Sequence, residues 1–138
     1  MIYLDSAAIV KLIHSEPESG DLDAWLTEHI GMPRLTSALA EVEVPRAILR
    51  CAPGRQQQIL AVMGTIIRIR IGDPVRALAA SYKDPMLRSL DAIHLATAQL
   101  LASGTEEAAP TFVTYDKRLR AAAKESGLPV ASPGAAAA

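Results

Sequence analysis

The sequence predicts an α/β domain whose short, mainly parallel sheet carries helices on both faces. Three observations predict it. Short apolar runs alternate along the chain with longer stretches of helical periodicity, the order that builds parallel strands joined by helical crossovers. The 138 residues are 50% hydrophobic, enough for one core without disulfides or structural metal. Aromatic residues make up only 4%, so that core is built from Ala, Leu, Ile and Val, which suits helices packed on a small sheet.

Each element has a local reason. Ile2-Tyr3-Leu4 is an apolar strand ending at Asp5, after which Ser6 is expected to cap a helix over Ala7–His14. Ser19-Gly20-Asp21 introduces Leu22, Trp25, Leu26, His29 and Ile30 at helical spacing, with Trp25 on the buried stripe. Pro33–Thr36 reads as a second strand, and Ser37 as the cap of a helix reaching about Cys51, before Gly54. Pro45 lies inside that helix, removes one backbone bond at a cost of roughly 3 kcal/mol, and predicts a bend. Gln56–Met63 is a short helix ending at Gly64. In Thr65–Ile71, Ile67, Ile69 and Ile71 alternate with Arg68 and Arg70 as in a half-buried strand.

Gly72-Asp73-Pro74 starts a helix over about Val75–Tyr82, and a longer helix spans about Leu90–Leu101, with Leu90, Ile93, Thr97, Leu100 and Leu101 on one face. Thr111–Tyr115 is strand-like, Asp116 caps Lys117–Glu125, Gly127 ends that helix, and Leu128–Ala131 forms a last strand. The expected organisation is one domain over 1–132, followed by a short flexible tail over 133–138.

Composition narrows the setting. Cys51, the only cysteine, cannot form an internal disulfide and reads as a buried apolar residue in a reducing compartment. The chain opens directly on a strand pattern, and no apolar run approaches ~18 residues, so secretion and membrane insertion are disfavoured and a cytoplasmic protein is expected. The net charge of −1 hides an asymmetry: residues 1–43 carry eight acids against two bases, and residues 44–138 carry seven against twelve. The basic portion could steer a phosphate chain toward an acidic site, although a solvated surface accounts for it equally well.

In open α/β sheets, ligands collect beyond the carboxyl ends of the strands. Asp5 and Asp116 each follow a predicted strand there, and Glu43 and Asp91 lie early in helices that return to the same edge. Like charges a few Å apart raise each other's pKa, and a bound cation resolves the conflict. Hard oxygen donors select Mg²⁺ or Mn²⁺, and the chemistry implied is phosphodiester hydrolysis. Each acid also has a plain structural reading: Asp116 as an N-cap, Asp91 in a first helical turn, Asp5 as a cap in place of Ser6. Glu43 stands among Leu39, Val42, Val44 and Ile48, where an unpaired carboxylate is costly. Glu41 competes with it, about 200° away around the helix, and periodicity does not choose between them.

Four segments carry a family resemblance: Ile2-Tyr3-Leu4-Asp5-Ser6, Thr36-Ser37-Ala38-Leu39-Ala40-Glu41-Val42-Glu43, Leu90-Asp91-Ala92-Ile93-His94-Leu95-Ala96-Thr97-Ala98 and Thr114-Tyr115-Asp116. In order and separation they resemble PIN domains, especially VapC-type toxins, over about residues 2–131. The resemblance implies a PIN-like three-layer α/β/α fold and metal-binding and catalytic roles for Asp5, Glu43, Asp91 and Asp116, with Ser6 and Thr114 in support. It selects Glu43 over Glu41, because the family's acid falls six residues after a serine such as Ser37. Pro45, just beyond, is a departure from the pattern. The resemblance also implies Mg²⁺ (or Mn²⁺), an RNA substrate, a VapB-like antitoxin and a homodimer, whose surface exposed apolar positions in the Leu22–Ile30 or Gln56–Met63 helices would supply.

Arg46 and Arg50 share Glu43's side of its helix, and Lys117 and Arg118 open a basic helix beside Asp116; all four are weaker candidates for RNA or antitoxin contact. His94, one turn from Asp91, reads first as a hydrogen-bonded interior histidine, with a proton donor or outer-shell ligand as the alternative. Two other function classes compete with a nuclease toxin. A phosphatase with Asp5 as nucleophile would normally have a second Asp where Ala7 stands. A non-catalytic RNA- or partner-binding module would bind RNA without cutting it.

Overall fold

Five strands, Ile2–Leu4 (β1), Arg34–Ser37 (β2), Ile67–Ile69 (β3), Thr111–Val113 (β4) and Val130–Ala131 (β5), form a sheet of order β3-β2-β1-β4-β5 in the computed structural model, which describes residues 1–104 and 108–136. Every pairing is parallel. Such pairings need crossovers, and the helices supply them: Ser6–Ile13 (α1), Ser19–Glu28 (α2), Ala40–Cys51 (α3), Gln56–Met63 (α4), Asp73–Ser81 (α5), Ser89–Ser103 (α6) and Lys117–Glu125 (α7).

Alternation along β1 divides the core. Ile2 and Leu4 join Ile9, Leu22, Leu26, Val44 and Ile48 from α1, α2 and α3 on one face of the sheet. Tyr3 points the other way, into Leu35, Leu95, Phe112 and Leu119, and stacks on Phe112 with ring centroids 5.2 Å apart. Helices therefore cover both faces, giving the expected three-layer α/β/α fold. From β1 the chain winds outward through β2 to β3, then returns to place β4 on the other side of β1. This reversal makes the C-terminal ends of β1 and β4 a switch point, where loops diverge and leave a crevice.

Several local expectations change. Asp5, rather than Ser6, caps α1 by accepting the Ala8 N–H at 2.8 Å, and the helix starts at Ser6. Ser37 is the last residue of β2, and its hydroxyl accepts the Leu39 N–H at 3.1 Å, so α3 begins two residues late, at Ala40, and continues through Pro45. Cys51 is exposed, because it closes α3 where the chain turns into the 53–55 turn. Ile30 lies beyond the end of α2 and is 74% exposed, while Trp25 is partly buried against the core. The alternation expected in 65–71 fails: β3 is an edge strand of three residues, Ile66 is buried and Ile67 exposed. On α6 the buried positions are Ala92, His94, Leu95, Ala96, Thr97 and Ala98, with Leu90 exposed.

Gln56–Met63 and Lys117–Glu125 have the expected bounds. Gly127 takes a left-handed φ of +83°, a conformation costly for residues with a Cβ, and so ends the helical region. Of the expected tail, Pro133 accepts a hydrogen bond from the Tyr115 hydroxyl at 2.7 Å; residues 137–138 lie outside the described residues. Among the described residues no helix is long and apolar enough to cross a membrane.

Candidate active site

The switch point gathers the acids. Asp5 leaves the end of β1 with its backbone N–H bonded to the Val113 carbonyl of β4, which ties it to both strands of the crevice. Asp5 as a whole is 5% exposed; Oδ1 caps α1, and the Thr114 hydroxyl just beyond β4 hydrogen-bonds the carboxylate. Burial raises the Asp5 pKa, the Thr114 bond opposes that shift, and the charge of Glu43 adds to it. Thr114 also accepts the Asp116 backbone N–H at 3.2 Å, so one buried hydroxyl links the two strand-end acids.

Glu43 reaches the same place from α3. Its Oε1 accepts the Ser6 hydroxyl at 2.7 Å and lies 2.8 Å from His94 Nε2. Partial burial pushes the Glu43 pKa up, but these two hydrogen bonds outweigh it and hold the carboxyl below its usual range. Glu41 turns away and pairs with Arg68 of β3 at 2.9 Å, so of the two competing acids only Glu43 joins the cluster. Asp91, in the first turn of α6, is half-buried and has no side-chain hydrogen bond or ion pair among the described residues. Its pKa is raised by burial first, then by the charges of Asp116 and Asp5 and, more weakly, Glu43, against the opposing charge of His94. Asp116 is exposed and caps α7, its Oδ1 accepting the N–H groups of Arg118 and Leu119 at 2.9 and 3.0 Å.

All four predicted acids thus come to one edge of the sheet, and the fold gives both Asp5 and Asp116 a capping role in addition. Capping contributes about 1 kcal/mol each and does not consume the second carboxylate oxygen. Among the described residues no three His, Cys, Asp or Glu side chains close around a single point as a metal cage would. The donor set nonetheless fits a hard divalent cation. All four donors are carboxylates, their charges burden Asp5 and Asp91, and Mg²⁺ keeps several waters while taking only one or two protein carboxylates directly.

Beside the acids lies a depression of about 340 Å³, lined by Arg88, Asp91, Asp116, Lys117 and Arg118 together with Met86 and Leu87. Arg88, Lys117 and Arg118 form no ion pair among the described residues. Arg88 escaped the sequence reading; its place immediately before the Ser89 helix start and three residues before Asp91 was the available signal. Arg46 and Arg50 are exposed on α3 and likewise unpaired among the described residues. His94 is indeed an interior, hydrogen-bonded histidine, 2% exposed, yet its partners include a member of the acidic cluster.

A parallel sheet of this order with acids from four separate segments converging at its switch point defines a PIN-type nuclease fold. The chain belongs to the PIN domain family, whose model matches residues 2–125, and within it to the VapC type. Ribonuclease VapC35 of Mycobacterium tuberculosis is 45% identical over 136 residues, covering 99% of both chains. Ribonuclease VapC47 of the same species is 39% identical, with 98% of each chain covered. Among solved structures, FitAcB of Neisseria gonorrhoeae shares the fold with a TM-score of 0.69 at 23% identity, over 96% of this chain and 98% of that one.

Proposed function

We propose that this chain is a divalent-metal-dependent endoribonuclease and the toxin of a VapBC-type pair, working in the cytoplasm. One observation carries the reading: Asp5, Glu43, Asp91 and Asp116 come from four segments to the β1–β4 crevice, where the charges of the other three bear on Asp91 and that of Glu43 on Asp5, a burden a hard cation would relieve. The full-length VapC relatives support RNA as the substrate.

These four carboxylates would hold Mg²⁺ or Mn²⁺, which when bound supplies an activated water and positive charge for the developing phosphorane. The protein's own groups do the rest. Thr114 and the Ala8 N–H orient Asp5, while Ser6 and His94 hold one oxygen of Glu43. Arg88, Lys117 and Arg118 border Asp91 and Asp116 and attract the flanking phosphates; Arg46 and Arg50 extend the basic surface along α3. Single-stranded loops suit such a site, because an open depression admits an unpaired strand.

A VapB-like antitoxin would hold the toxin inactive by lying near the acidic cluster. A homodimer would bury exposed apolar residues such as Ile30 and Leu60, the latter 84% exposed on α4. The test is cleavage of a cellular RNA pool by antitoxin-free protein in Mg²⁺, Mn²⁺ or chelator. Cutting that needs metal and is lost in Asp5→Asn and Asp91→Asn supports the proposal. A folded, metal-loaded protein that binds RNA without cutting it supports a binding module instead.

A further inference from the structure

A chain of hydrogen bonds runs from the core to the acidic cluster. The Tyr3 hydroxyl lies 2.7 Å from His94 Nδ1, and His94 Nε2 lies 2.8 Å from Glu43 Oε1 and 3.1 Å from Ser6 Oγ. Tyr3 is fully buried and belongs to the opposite core face from Ile2 and Leu4, so the chain connects the α6 side of the sheet with α3 and α1. His94 stands three residues from Asp91 on α6, which places two members of the site on one helix face.

The proton positions follow from chemistry. A neutral imidazole protonated on Nδ1 would set the Nε2 lone pair against a carboxylate oxygen at 2.8 Å, which is repulsive. Protonation on Nε2 removes that conflict and holds in the neutral ring and the imidazolium alike; in the neutral ring it leaves Nδ1 as an acceptor for the Tyr3 hydroxyl, and in the charged ring Nδ1–H donates to the phenol oxygen. Thr97 and Thr36, also beside it, donate their own protons to the carbonyls of Ile93 and Leu4 at 2.7 Å each.

We propose that Tyr3 and His94 are positioning residues that act through Glu43: the Tyr3 hydroxyl, bonded to Nδ1, holds the His94 ring in place, and the ring's Nε2–H together with Ser6 pins Glu43 Oε1 and leaves Oε2 to face the crevice. The value of this to the site rests on the nuclease reading; the tautomer and the bond do not. It turns a flexible three-torsion side chain into a preset ligand, so ordering it on metal binding costs little.

Three variants separate positioning from packing. Tyr3→Phe keeps the ring stacked on Phe112 and removes only the hydroxyl; His94→Gln keeps an N–H donor; His94→Leu keeps bulk alone. Long-range ¹H–¹⁵N correlation spectra of the metal-free protein, recorded at a pH where the imidazole is neutral, are expected to show His94 protonated on Nε2 alone in the parent, and the bare Nδ1 shifted downfield in Tyr3→Phe, where it no longer has the phenol as partner. Mn²⁺ affinity by calorimetry is expected to fall roughly 10–100-fold in His94→Leu and to recover at least partly in His94→Gln, with melting curves remaining cooperative. RNA cleavage should follow, with kcat lowered more than KM is raised. A neutral His94 ring protonated on Nδ1 rather than Nε2 in the parent, or Mn²⁺ affinity unchanged in a folded His94→Leu, overturns the positioning role even if the parent cuts RNA. The expected spectra and the Mn²⁺ loss in His94→Leu, alongside a parent that cuts no RNA, would uphold it and overturn the nuclease reading alone.

Discussion

Asp116 presses its charge on Asp91: after burial, it is the largest influence holding the Asp91 carboxyl above its usual range. A carboxyl whose folded pKa is raised favours folding most below its unfolded value, and that advantage disappears as pH rises through the folded value. Asp5 shares the sign; Glu43, held low, has the opposite one. The metal-free protein is therefore expected to lose melting temperature as pH rises from the ordinary carboxylate range toward neutrality. Asp91→Asn should lessen the loss, and Mg²⁺ should restore the parent more than the variant. Fluorimetric melting across pH checks this, and an Asp91→Asn protein less stable than the parent at neutral pH would count against it.

Glu41 and Glu43 sit two residues apart with opposite assignments. Glu43→Gln should abolish cleavage while the protein stays folded. Glu41→Gln removes an exposed pair with Arg68, worth roughly 0.2–1 kcal/mol, and should leave cleavage unchanged. Rates and melting temperatures measured side by side distinguish the two, and equal losses of activity would undo the assignment.

Arg88 borders both Asp91 and Asp116 without an ionic partner among the described residues. Arg88→Ala should weaken binding of single-stranded RNA to a cleavage-dead Asp5→Asn protein. The slope of log affinity against log salt should shrink by about 0.7, one phosphate contact's share. Arg55→Ala, the same charge change at a residue that lines a separate depression with Lys11 and Asp23, should leave the slope alone.

Cys51 offers a check on the fold itself. Its exposure at the end of α3 predicts that one thiol per chain reacts with a disulfide reagent in the native state, at a rate close to that of a free thiol. Reaction only after denaturation would mean that α3 ends differently.

Much of this was legible before the structure. Ile2–Leu4 followed by Asp5, and Tyr115-Asp116 before a helical run, announce strand-end acids, because an apolar run that stops at a capping residue has few other readings. The choice between Asp5 and Ser6 as cap was not legible, since both side chains cap well and stand one residue apart. Ser37 was misplaced for a related reason: a serine after a strand serves either element, and pairing with β3, a tertiary fact, extends the strand through it. Periodicity could not separate Glu41 from Glu43; Arg68, Ser6 and His94, each distant in sequence, do so. Ile67 and Ile69 alternate convincingly, but β3 lies at the sheet edge, and no local pattern states how many neighbours a strand has. Tyr3 looked like core alone, and its hydroxyl's path to Glu43 exists only once α6 lies against β1.

A metal-dependent nuclease of this kind needs its four carboxylates to share one divalent ion that cleavage requires. The most direct test is a Mn²⁺ titration followed by calorimetry and RNA cleavage on the same samples of the parent, Glu43→Gln and Asp91→Asn. Parent cleavage is expected to rise with Mn²⁺ occupancy, and both variants to bind Mn²⁺ at least tenfold more weakly and not to cut. Cleavage by the parent in chelator, or full Mn²⁺ affinity in both variants, would contradict this.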